Sequence, residues 1–143
     1  MLIKEIMNTD VKTIEQTESV HEAAKTMSEY DIGSLLVTKG DKLVGIITKM
    51  DIIRKVVSID VKASSVKVSD IMTKEVIMVD PDIDVEEAAE LMMDKKIKKL
   101  PVVDKGSLIG IVTSTDICTA EPRLIRKLAD ILLLPGTKKT VAG

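Results

Sequence analysis

The apolar positions of the chain change period several times, and the changes come twice in the same order. Residues 11–14 read as a short strand. Ser19 followed by Glu22 marks a capping box, and Val20, Ala23, Ala24 and Met27 beyond it fall on one helix face. Residues 32–38 and 43–48 are β-rich runs joined across Lys39-Gly40-Asp41-Lys42, which predicts two strands and a short connection. After Thr48 the period lengthens again through Ile52, Ile53, Val56 and Val57, a second helix. The unit is therefore β-α-β-β-α.

A shift of 65 positions lays this unit on its successor without a gap, with 17 identities in the 47 positions from Ile6 to Ile52. The shift pairs Ile6-Met7 with Ile71-Met72, Glu22-Ala23-Ala24 with Glu87-Ala88-Ala89, and Met27 with Met92. A tandem duplication is the plain explanation. In the second copy Asp84 and Glu87 stand for Ser19 and Glu22, and strands at 99–103 and 108–112 flank Asp104-Lys105-Gly106-Ser107. The expected organisation is a first unit at 1–57, a polar linker at 58–67 and a second unit at 68–121. Pro122 interrupts the helix that follows. Leu124, Ile125, Leu128, Ile131 and Leu132 then share one face of a final helix, 122–134, which either completes the core or meets a partner. Pro135-Gly136 should stop it, leaving 135–143 as a flexible tail.

One heptad recurs in both units: Gly45-Ile46-Ile47-Thr48-Lys49-Met50-Asp51 and Gly110-Ile111-Val112-Thr113-Ser114-Thr115-Asp116. A β-branched run leaving glycine, then threonine with aspartate three residues on, predicts a strand entering a helix with a capping-box spacing. Unpaired N–H groups and the positive end of the dipole meet at such a turn, so it can receive an anion. It can equally be a cap with nothing bound.

Composition narrows the chemistry. The chain has 143 residues, 45% of them hydrophobic, enough for a core of ordinary size. Tyr30 is its only aromatic residue, so that core is aliphatic and any flat ligand meets branched side chains. A net charge of −2 gives no basic excess for general nucleic-acid binding. Cys118 is the sole cysteine, which excludes an internal disulfide and a multi-cysteine metal site. No apolar run has the length of a membrane span or the form of a signal peptide, so a cytoplasmic location without membrane contact is expected.

Together the duplicated unit, the openings Glu5-Ile6-Met7 and Asp70-Ile71-Met72, the strand Leu100-Pro101-Val102-Val103-Asp104 and the two heptads resemble the CBS (cystathionine β-synthase) domain family over roughly residues 1 to 121. The resemblance implies an α+β Bateman module, two units about a pseudo-twofold axis, that binds AMP, ADP, ATP, S-adenosylmethionine or NAD in clefts between them. It implies that Asp51 and Asp116 take ribose hydroxyls and that Thr48 and Thr113 contact phosphate, joined by Lys49 and, at the matching place, Ser114. Adenine would be lined by Val11, Thr13, Ser34 and Leu35 in one unit, and by Val76, Met78, Lys99, Leu100 and Pro101 in the other. The first unit departs from the pattern, with Leu36 for Pro101 and Gly33-Ser34 for Lys98-Lys99. A homodimer and an unnamed regulated protein are the implied partners. No cofactor or resident metal is required, Mg2+ entering only with the nucleotide.

The remaining reactive residues support no catalysis: His21 should be exposed, Cys118 buried and inert, Met27, Met50, Met92 and Met93 filler, and Arg54 a surface residue. No nucleophile, base and orienting group share a recognisable spacing. The run Lys95-Lys96-Ile97-Lys98-Lys99 reads as a solvated helix end or as an anion contact within reach of a cleft. A regulatory nucleotide sensor is thus the first expectation, a ligand-free dimerisation scaffold the second, nucleic-acid binding through the basic run a third, and an enzyme the last.

Overall fold

The computed structural model describes residues 1–133 and contains two compact units. Leu134, the Pro135-Gly136 stop and the expected tail lie outside the described residues.

The first unit, Lys12–Val76, holds a three-stranded sheet. Strand β1 (Thr13–Glu15) runs parallel to β2 (Ser34–Lys39), and helix α1 (Val20–Tyr30) makes the crossover between them. Ser19 caps α1 by accepting the Glu22 N–H at 3.1 Å, as the sequence predicts. Asp31, in the left-handed region at φ 52°, ends it. Strand β3 (Lys42–Thr48) returns antiparallel to β2 and passes into α2 (Lys49–Ile52), which continues as a π-helical turn over Ile53–Val57. A short helix α3 (Val68–Ile71) follows the linker. Val20, Ala23 and Met27 of α1 pack on Leu35, Val37 and Ile47 of the sheet, with Val56, Val68 and Ile71 closing the core.

The second unit joins Met1–Val11 to the chain from Ile77 onward. Helix α4 (Val85–Lys95) precedes an antiparallel hairpin of β4 (Lys99–Asp104) and β5 (Ser107–Thr113), then α5 (Ser114–Ala120). Here the first strand shrinks to a single bridge between Val79 and Val102. The cause is Pro81. Its counterpart Gln16 donates its N–H to Thr38 O at 2.9 Å to extend the ladder, and a proline has no N–H to give. After Pro122 the chain forms α6 (Ile125–Leu132), whose Leu128 and Ile131 are buried with Leu124, Met92 and Ile117. This face of α6 therefore completes the unit's own core, while Ile125 and Leu133 remain exposed.

The compact units are not the sequence repeats. Ile3, from the stretch that opens the first repeat, is fully buried against the second repeat's core, and Ile3 N–H donates to Ile83 O at 2.9 Å. Conversely Val68 and Ile71, from the opening of the second repeat, are buried in the first repeat's core. Each opening then crosses the heptad glycine of the unit it joins. A Cβ on Gly45 would stand 2.7 Å from Met72 Sδ and 2.9 Å from Thr73 O, and one on Gly110 would stand 2.7 Å from Met7 Sδ and 3.1 Å from Asn8 O. Backbone hydrogen bonds hold the crossings: Ile46 with Thr73 at 2.9 Å in both directions, and Asn8 with Ile111 at 2.8 and 2.9 Å.

Two outcomes follow. Gly45→Ala and Gly110→Ala should each destabilise by about 1–3 kcal/mol, Gly45→Ala more, because a backbone oxygen there must move; a shift of the urea midpoint measures this, and unchanged midpoints would contradict the crossing. Ile3→Ala, three residues from the start, should cost about 2–5 kcal/mol like Leu128→Ala, whereas a loose amino-terminal segment would make it nearly silent.

Candidate functional site

Each heptad forms the same turn. Thr48 ends β3 in extended conformation; its Oγ1 accepts the Asp51 N–H at 3.1 Å, and Asp51 Oδ2 accepts the Thr48 N–H at 3.0 Å. Thr113 and Asp116 repeat this at 3.0 and 2.9 Å. These are complete capping boxes, so the cap reading of the spacing holds in both units without a ligand. Each box engages one oxygen of its carboxylate.

The second oxygens differ. Asp51 Oδ1 lies 3.6 Å from the ammonium of Lys55, which itself donates to Ile71 O at 2.9 Å. Ala120 stands at the place matching Lys55, and among the described residues nothing donates a hydrogen bond to Asp116 Oδ1. The sequence reading passed over Lys55, although its i,i+4 spacing from Asp51 signals the pair. A carboxylate only accepts, and two hydroxyls of a cis-diol can donate to it in bonds worth about 1.5–3 kcal/mol each. Asp116 has that capacity open, and Asp51 shares it with a half-exposed lysine.

Strand register places further candidates beside the turns. Ser34 pairs with Thr48 and Lys99 with Thr113. One step outward, Lys49 N–H donates to Gly33 O at 2.9 Å and Ser114 N–H donates to Lys98 O at 2.8 Å. Lys49 is exposed, its stem 3.6 Å from where a Gly33 Cβ would stand. Ser114 is only 3% exposed, so this residue is withdrawn from solvent. Leu35 and Leu100 are buried in the two cores and Pro101 is buried, whereas Thr13 and Met78 are exposed and Val11 and Val76 half-buried. The unit division also regroups the adenine candidates: Val11 lies with Asp116, and Val76 with Asp51.

Elsewhere, His21 and Arg54 are exposed. Cys118 is half-buried rather than fully buried, and burial pushes its thiol pKa up. No group of three or more His, Cys, Asp or Glu among the described residues could hold a metal ion, and no described helix is long and apolar enough to cross a membrane.

Known proteins are similar to this chain in sequence and fold. The CBS domain model matches residues 3–58 and 68–123. An uncharacterized protein of Methanopyrus kandleri is 43% identical over 130 residues, 90% of this chain and 66% of that protein. Inosine-5'-monophosphate dehydrogenase of Korarchaeum cryptofilum is 44% identical over 109 residues, 76% of this chain but 22% of the enzyme. The chain thus spans between about a fifth and two thirds of these relatives. Among solved structures, the CBS domain pair of protein MJ0100 in complex with 5'-methylthioadenosine and S-adenosyl-L-methionine is 35% identical, with a TM-score of 0.67 over 84% of this chain and 94% of that one. With both repeats matched, the chain belongs to the CBS domain family, as a tandem pair.

Proposed function

We propose that this CBS pair is a regulatory sensor that binds an adenosine-containing ligand at its heptad turns and passes the bound state to a partner protein. The observation that carries this reading is the Asp116 carboxylate: one oxygen closes the helix cap, and the other is without a hydrogen-bond donor among the described residues. A ribose diol supplies donors of the required kind. The related pair of protein MJ0100 holds two adenosine compounds, which supports the ligand class. Pairing with a second copy fits the same reading, since Ile53, Val57, Ile59 and Val61 form an exposed apolar run in the first unit.

A scaffold that dimerises without ligand is the second reading, and the complete capping boxes favour it, because the turns need no ligand to satisfy their backbone. The two readings diverge in one experiment. In the sensor, thermal shift with AMP, ATP, S-adenosylmethionine and NAD yields stabilisation of roughly 2.7 kcal/mol at 100 times the dissociation constant for at least one of them. Asp116→Ala then loses that response at one site, in addition to a cap cost of about 0.5–2 kcal/mol. In the scaffold, no compound shifts the transition at millimolar concentration, and Asp116→Ala shows the cap cost alone.

A further inference from the structure

Lys55 joins two stretches of the first unit. Its ammonium lies 3.6 Å from Asp51 Oδ1 and donates to Ile71 O at 2.9 Å. Asp51 is the heptad carboxylate, and Ile71 closes α3, where the last carbonyls have no partner within the helix and attract a cation. Two residues further on, Thr73 exchanges two hydrogen bonds of 2.9 Å with Ile46 beside Gly45, and the chain leaves this unit after Val76. One side chain therefore ties the candidate ribose acceptor to the segment by which the chain leaves its unit.

The second unit has no such tie. Ala120 stands at the place of Lys55 and Ile6 at the place of Ile71, and α5 stays an α-helix through Ala120. In the first unit the matching stretch, Ile53–Val57, is a π-helical turn closed by the Ser58 N–H on Ile53 O at 2.8 Å, and Lys55 sits at its centre. Single π-helical turns recur at functional sites. The Asp51 side chain is largely covered and Lys55 is half-exposed. A ligand over Asp51 removes water that screens the pair, which strengthens the attraction, and an ammonium held more firmly there keeps its bond to Ile71 O.

Resting on the reading under Proposed function, we infer that Lys55 is a positioning residue that carries occupancy of the first turn into the exit segment. Ligand on Asp51 firms the crossing of Thr73 on Ile46; ligand on Asp116 has no matching lysine through which to firm the crossing of Asn8 on Ile111. The turns are thus unequal as reporters: the first signals into the chain beyond it and the second does not. Coupling is reciprocal, so the closed tie favours ligand at Asp51 by the factor with which ligand favours the tie.

Amide hydrogen exchange of the full chain, read by NMR with and without AMP, ATP, S-adenosylmethionine and NAD in turn, tests this. A compound that binds should slow exchange at Met72 and Thr73 by roughly two- to fivefold, the range of a half-exposed ion pair, and at Asn8 by less. Lys55→Met should abolish the slowing at Met72 and Thr73 and weaken binding at the first turn by a similar factor, while shifts of the Asp116 amide on titration persist and show that the variant folds. Lys55→Arg, which keeps the charge, should retain the slowing. A purely structural lysine predicts something else: Lys55→Met then speeds exchange at Met72 and Thr73 equally with and without ligand, and the slowing persists. That result, or a wild type whose Thr73 responds no more than Asn8, would overturn the inference and leave the sensor reading standing. Binding of none of the four compounds would overturn both.

Discussion

Everything near the heptads depends on a close approach of two chain segments. At Gly45 and Gly110 a methionine thioether and a backbone carbonyl pass where a Cβ would sit, and two reciprocal amide–carbonyl hydrogen bonds hold the crossing. A Cβ would displace the Thr73 carbonyl at Gly45 and the Met7 thioether at Gly110. The crossing pins the strand just upstream of Thr48 and Thr113, the strand end fixes the capping box, and the box sets the carboxylates of Asp51 and Asp116. Glycine, threonine and aspartate thus belong to one mechanical chain. The glycine serves packing, the threonine serves the helix start, and the aspartate serves both the helix and whatever donates to its second oxygen.

Much of this was legible in the sequence, and the failures have physical causes. The 65-residue shift exposed the repeat because each copy keeps its own core positions, such as Val20 with Val85 and Met27 with Met92. Both hairpins were legible because β-branched runs flank polar turns. Which copy an opening segment packs on was not legible, since Ile6-Met7 and Ile71-Met72 are identical and either glycine accepts either methionine. Loop length and topology decide that, and periodicity carries neither. The weak first strand of the second unit was written in Pro81, whose missing N–H ends the ladder. The final helix offered an apolar face with two uses; burial of Leu128 and Ile131 assigns most of it to the core and leaves Ile125 outside.

The candidate site was legible as residue types and not as charges. Lys49 stood out beside Thr48, whereas Lys98 lay inside a run of lysines that resembles an ordinary solvated helix end. Strand register sets Lys98 opposite Ser114. The two copies have diverged beside their turns. The same divergence left Asp51 with Lys55 as a neighbour and Asp116 with Ala120 at the matching place, so the two carboxylates are not equivalent acceptors. The Asp51 side chain is 17% exposed, and its Lys55 partner 48%.

The central claim is that ligand is received at the two capped turns. Amide chemical-shift mapping of the full chain during titration with AMP locates the response directly. The account predicts that the largest shifts cluster at residues 48–51 and 113–116 and at their facing positions Gly33 and Lys98. Saturable shifts that leave those amides unmoved and cluster elsewhere would contradict it.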